Sequence, residues 1–125
     1  MHQQTHIALS PTLPPEFAGP LAMLGHLTVA CREVTNGTRV YACTAEDLVD
    51  ENLISRLPSS LELIAIAGSE TAHVDLEAAR ARGIKVSNIP LAARDTALSL
   101  KANIAAFIDR GFPLNGVRAP EQDNL

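Results

Sequence analysis

Short runs of consecutive apolar residues alternate with segments of helical spacing along the first ninety positions. The runs are His6 to Ser10, Leu27 to Cys31, Arg39 to Cys43, Glu62 to Ala67 and Ile84 to Ser87. Several place apolar side chains on successive positions rather than on every second one, the pattern of strands covered on both faces. Strands of that kind alternating with helices imply a parallel α/β sheet. With right-handed crossovers, about five strands give a doubly wound sheet of flavodoxin-like kind, order 2-1-3-4-5.

The segments between the runs carry helix punctuation. A first helix is expected from Pro14 and Pro15, where a missing N–H costs nothing, with Phe17, Leu21 and Leu24 on one face, a kink or division at Pro20 and a stop at Gly25. Asp50 can cap a second helix that buries Leu53, Ile54 and Leu57 and ends before Pro58, with Thr44 and Asp47 capping a short turn ahead of it. Asp75 caps a third through Arg82, with Leu76 and Ala79 inward, Arg80 and Arg82 near its C-terminus and Gly83 as the stop. After the segment PLAARDT, Ala97, Leu100, Ile104, Phe107 and Ile108 recur at helical spacing, behind an N-cap at Asp95 or Thr96 and ahead of Gly111 and Pro113. The polar segment from Arg118 to Leu125 reads as a frayed tail.

Composition narrows the function classes. At 46% hydrophobic and 19% charged, 125 residues can bury one domain-sized core, and with 3% aromatics and no Trp that core is aliphatic. A net charge of -4 argues against nucleic acid, whose non-specific affinity comes from clustered Lys and Arg. No apolar stretch is long enough for a membrane span and the N-terminus lacks the order of a secretory signal, so a cytoplasmic location is expected. In that compartment Cys31 and Cys43 are expected to be free structural thiols, with a disulfide formed on oxidation or a reactive thiol as the other readings. His2, His6, His26 and His73 have no metal-ligand spacing.

Residues 61 to 90, LELIAIAGSETAHVDLEAARARGIKVSNIP, resemble the substrate-domain segment of the D-2-hydroxyacid dehydrogenases, the relatives of phosphoglycerate dehydrogenase and glyoxylate reductase. The segment LAARDTALSLKANIAAFIDRGFPLNGV that follows resembles that family's C-terminal helix, which returns to the substrate domain after a nucleotide-binding domain has intervened. The resemblance covers about residues 40 to 117 and is best at DLEAARARGIKV and NIAAFIDRGFPLNGV. It implies a single substrate-domain homologue over residues 1–117, a flexible tail at 118–125 and a junction near 90–96 where the nucleotide domain would be inserted. The joining of such distant elements favours an engineered excision over a natural short protein.

The same resemblance sets expectations for chemistry. The family uses NAD, yet no GxGxxG occurs here, and the family's catalytic Arg, Glu and His belong to the nucleotide domain, so this chain is expected to bind no cofactor and to be no enzyme alone. The family's substrate loop reads approximately AGxGxDxID and holds the substrate carboxylate on backbone N–H groups. Here the positions are Ala67, Gly68, Ser69, Glu70, Thr71, Ala72, His73, Val74 and Asp75: the first Gly and the capping Asp match, the second Gly falls at Glu70 and the first Asp at Ala72. Gly68, Ser69, Glu70 and Thr71 are therefore candidate substrate-binding residues, as a vestigial or altered loop, against an ordinary strand-to-helix turn. A carboxylate at Glu70 would repel an anion. His73 is expected in a surface or capping role, and a Ser69, His73, Asp75 triad lacks the nucleophile-elbow pattern.

Two other classes compete. A receiver-like signalling domain needs acids after strand one, a phosphorylatable Asp after strand three and a Lys after strand five, and only Asp47 is available. A flavodoxin proper would cradle FMN in a loop that here contains Pro11, Pro14 and Pro15. A non-enzymatic interaction module remains an alternative, because the surface left by a missing domain can meet a partner. A homodimer is expected more often than a monomer, in part through swapping of the terminal helix. The loops at the carboxyl ends of the strands, Pro11 to Pro14, Thr44 to Asp47 and Gly68 to Ala72, are where a ligand would sit.

Overall fold

The computed structural model describes residues 4–30, 33–90 and 94–117. Strands β1 (Thr5–Leu9), β2 (Gly25–Val29), β3 (Thr38–Cys43), β4 (Leu63–Ile66) and β5 (Lys85–Ser87) are parallel, and β6 (Gly116–Val117) adds antiparallel to β5, giving the order β2-β1-β3-β4-β5-β6. This is the doubly wound, flavodoxin-like arrangement that the apolar runs imply. The last strand is new: two residues with no run of their own pair with Val86 and Ser87.

Consecutive apolar residues in the strands serve two cores. Along β3, Val40 and Ala42 face one side while Tyr41 and Cys43 face the other, and all four are buried. On the first side Ile7, Val40 and Leu63 meet a 3-10 turn (Pro15–Phe17), α1 (Ala18–Ala22) and α4 (Thr96–Arg110), through Phe17, Leu21, Leu100, Ile104 and Phe107. On the second side Tyr41, Ile64 and Val86 meet α2 (Glu51–Ser55) and α3 (Leu76–Ala81), through Ile54 and Ala79.

The caps form largely where the sequence places them. Asp50, Asp75 and Asp95 accept from the amides of Leu53, Ala78 and Leu98 at 2.9, 3.0 and 3.0 Å. Gly111 closes α4 at φ +87°, a conformation that other residues rarely adopt, with its N–H on the Phe107 carbonyl. Arg82 does more than complement its own helix: its guanidinium donates to the carbonyls of Ile54 (2.6 Å) and Leu57 (3.0 Å) at and just beyond the end of α2.

Three details differ from the sequence expectation. The first helix divides between Phe17 and Ala18, not at Pro20, which falls in the first turn of α1, where an amide has no helical acceptor anyway. That helix ends at Ala22, and Gly25 is not its stop but the first residue of β2. A Cβ there would run into the Thr5 carbonyl of the neighbouring strand, so glycine is required by strand approach, not by helix termination. β2 accordingly starts two residues early and ends at Val29; Cys31 lies outside the described residues, as do residues 91–93 of the expected junction and the expected tail.

Candidate functional site

The carboxyl ends of β1, β3 and β4 are held in step by the amide of Ser10 on the Ala42 carbonyl and the amide of Ala67 on the Cys43 carbonyl. Beyond them the three loops named from the sequence converge. Asp47 is the centre: one carboxylate oxygen accepts from Ser10 Oγ at 2.7 Å, and the other from Thr12 Oγ1 at 2.7 Å and the Thr44 amide at 2.9 Å. Thr12 and Thr44 share a further bond of 2.7 Å between their hydroxyls. A carboxylate with both oxygens engaged ties loop β1–α1 to loop β3–α2.

Below this knot the environment is apolar and anionic. Burial, helped by the charges of Asp47 and Cys43, pushes the Tyr41 phenol up to about 12. Burial and then Asp47 push the Cys43 thiol up as well, and Cys43 is free and fully buried, the state of an inert structural thiol. The turn after β1 carries Pro11 and Pro14, which lack amide donors, and its Ser10 and Thr12 hydroxyls are taken up by the Asp47 carboxylate.

The third loop, between β4 and α3, has a distinct polarity. Its four successive carbonyls are all engaged: Gly68 by the Ile89 amide (2.8 Å), Ser69 by Asn88 Nδ2 (3.1 Å), Glu70 by His73 Nε2 (3.2 Å) and Thr71 by the Val74 amide (3.0 Å). In a planar trans peptide each C=O points opposite to the next N–H. The amides of Ser69, Glu70, Thr71 and Ala72 are thus turned away from those donors, and none has an acceptor among the described residues. A Cβ on Gly68 would meet nothing within 4 Å, so the space beside the loop is open. The Glu70 side chain is exposed. What this geometry leaves is four successive backbone donors without acceptors, the kind of group that can receive an anion.

The sequence reading had brought Gly68, Ser69, Glu70 and Thr71 together, and they are one turn. It missed the side chains that fix them. Asn103, on α4, is completely buried; its Nδ2 donates to the Asn88 carbonyl at 2.9 Å and its Oδ1 accepts from the Asn115 amide at 2.9 Å, while the Asn88 amide donates to the Asn115 carbonyl at 3.1 Å. One polar residue on an apolar helical stripe is the signal that could have exposed it. His73 is half-buried, and its Nδ1 lies 2.9 Å from the Asp47 carbonyl. Asp75 caps α3, so Ser69, His73 and Asp75 form no triad.

Among the described residues no three His, Cys, Asp or Glu side chains converge as metal ligands, and no helix is long and apolar enough to cross a membrane. His6 and His26 are exposed register partners on β1 and β2, with ring centroids 5.1 Å apart. A cavity of about 610 Å³ lies at the opposite end of the sheet, between α3 and the β5–β6 edge, lined by Leu76, Arg80, Ile84, Lys85, Phe112 and Val117. It does not touch the three loops.

Residues 25–98 match the family described as D-isomer specific 2-hydroxyacid dehydrogenase, catalytic domain, and the chain belongs to that family. No curated protein matches it in sequence. Among solved structures it is similar to a 2-hydroxyacid dehydrogenase from Ketogulonicigenium vulgare, at 26% identity and a TM-score of 0.61, covering 71% of this chain and 30% of that one. A glyoxylate reductase from Paecilomyes thermophila gives 20% identity, a TM-score of 0.59 and 86% and 38% coverage. For D-lactate dehydrogenase from Escherichia coli the values are 20%, 0.60, 73% and 32%; at these identities the last two likenesses concern the fold. The chain spans about a third of the length of these dehydrogenases.

Proposed function

We propose that this chain is the substrate-binding unit of a D-2-hydroxyacid dehydrogenase, and that its role is to hold the carboxylate of a 2-hydroxy or 2-oxo acid on the amides of Ser69, Glu70, Thr71 and Ala72. The observation that carries this reading is that all four preceding carbonyls are engaged while the amides that follow them have no acceptor among the described residues. Glu70, where the resemblance places a glycine, weakens an anion site through its charge, but its exposed side chain can turn into solvent. The domain assignment follows from the same reading: a substrate domain over residues 1–117, the junction near 90–96, a tail after it, and a cytoplasmic location.

Turnover is a separate matter. Hydride transfer requires a nicotinamide, and neither the turn after β1 nor any glycine-rich sequence in this chain suits one. The polypeptide alone is expected to bind a 2-oxo acid weakly and to transfer no hydride. Amide spectra recorded during titration with pyruvate and glyoxylate should move at Ser69 to Ala72 first. Shifts confined to other segments would refute the site, and saturable oxidation or reduction by the pure protein with NAD, NADH or NADPH would overturn the non-catalytic reading.

Self-association is proposed on a different footing. Met23 (75% exposed) just after α1, Leu98 on α4 and Phe112 just after α4 are large apolar side chains left on the surface, and α1 and α4 flank the same sheet face. A homodimer is the expected outcome of light scattering across a hundredfold dilution; a constant mass of one 13.3 kDa chain refutes it.

A further inference from the structure

His73 joins two loops through two acceptors. Its Nδ1 lies 2.9 Å from the Asp47 carbonyl and its Nε2 lies 3.2 Å from the Glu70 carbonyl. A backbone carbonyl only accepts. A neutral imidazole carries a single N–H and can satisfy one of the two; the doubly protonated ring satisfies both. The choice matters because Asp47 belongs to the knot that joins loops β1–α1 and β3–α2, whereas the Glu70 carbonyl is one of the four that orient the amide row. The Glu70 carbonyl and the Thr71 amide share one peptide plane, so releasing the first frees the second to rotate.

We propose that His73 is a positioning residue for the anion loop, donating from both ring nitrogens, so that the protonation of one side chain sets how firmly the Thr71 amide is presented. The proposal deepens the substrate-binding reading and rests on it for the identity of the ligand, but the coupling between ring and loop stands on geometry alone. The segments that meet the ring carry Glu46, Asp47 and Asp50 on one side and Glu70 and Asp75 on the other, with no lysine or arginine between residues 44 and 75 other than Arg56 beyond α2. The parallel bridge between Val49 and Val74, with the Val49 amide on the His73 carbonyl at 2.9 Å, fixes the histidine backbone, so that loss of the Nε2 bond acts on the loop and not on residue 73 itself.

The sign follows directly. At low pH both carbonyls are held; as pH rises and the ring gives up a proton, one of the two bonds is lost, and the Glu70 bond, the longer of the pair, is the one expected to go. The test is nuclear magnetic resonance of the full chain between about pH 5 and pH 9, following the His73 ring nitrogens and the backbone amides together, first alone and then with pyruvate. The Thr71 amide is expected to move with the same midpoint as the His73 ring, and His73→Gln, which cannot titrate, should abolish that movement. Pyruvate should bind about three- to tenfold more weakly above the transition than below it, the effect of one hydrogen bond.

Loop amides that stay still while the ring titrates would overturn the proposal, and so would a midpoint that survives in His73→Gln, since another acid would then be responsible. If the ring and the Thr71 amide move together but pyruvate perturbs no loop amide at either pH, the clamp is upheld and the carboxylate reading of the loop falls. A variant that only lowers the melting temperature would not distinguish packing from positioning. The shared midpoint does, because a purely structural side chain has no reason to transmit its protonation to Thr71.

Discussion

Truncation after Pro90 is expected to abolish cooperative folding. The segment removed contains α4, whose Leu100, Ile104 and Phe107 are buried against Ile7, Val40, Leu63 and Phe17 on one whole face of the sheet. Burying each such side chain contributes about 1.5–3 kcal/mol, so the loss is on the order of 6 kcal/mol before the Asn103 network is counted. Domains of this size are stable by about 5–15 kcal/mol in total. The truncated chain should therefore show no cooperative thermal transition by circular dichroism and should bind a hydrophobic dye, because the exposed face is aliphatic. A melt at the temperature of the intact chain would mean that α4 is an appendage and not part of the core. The point bears on family membership, since the matched family segment ends at residue 98, early in α4, while the helix closes the same hydrophobic face as α1.

The elements that could be read from the sequence are those whose burial writes a pattern. Consecutive apolar residues such as Val40 to Cys43 announced a strand covered on both sides, and three aspartates ahead of helical stripes announced α2, α3 and α4. What escaped were features decided by contacts between distant segments. β6 has only two residues and exists because the Asn115 and Asn88 backbones meet beside it. Gly25 carries the signal of a helix stop, and only the neighbouring Thr5 carbonyl reveals that a strand needs it. The candidate loop was legible as a position, because a strand-to-helix turn at the carboxyl end of a sheet is where ligands sit. Its chemistry was not legible. Nothing in the letters Gly68 to Thr71 tells which way the peptides face; that is determined by Asn88, Ile89, His73 and Val74, each donating to one carbonyl. The family model matched over residues 25–98 spans this loop.

Replacing Asn103 by leucine is the second change expected to have a large effect. The shape of the side chain is nearly kept, but the Asn88 carbonyl and the Asn115 amide lose their partners in a place where Asn103 has no exposed surface. Each buried polar group left unsatisfied costs about 1–3 kcal/mol, so Asn103→Leu should destabilise by about 2–5 kcal/mol despite the added apolar area. Asn103→Asp separates the two bonds. The carboxylate can still accept from Asn115 but faces the Asn88 carbonyl with no donor, and its charge is buried as well, so the loss should be larger at neutral pH than at a pH low enough to protonate it. Denaturant unfolding of both variants measures this. Hydrogen exchange then follows the consequence for the site: Asn88 holds the Ser69 carbonyl through Nδ2 at 3.1 Å, so freeing Asn88 should speed exchange at Ile89, whose amide bonds the Gly68 carbonyl of the same loop, before it reaches the β4 strand. Exchange that accelerates uniformly across the sheet would instead assign Asn103 to global stability and cut its link to the loop.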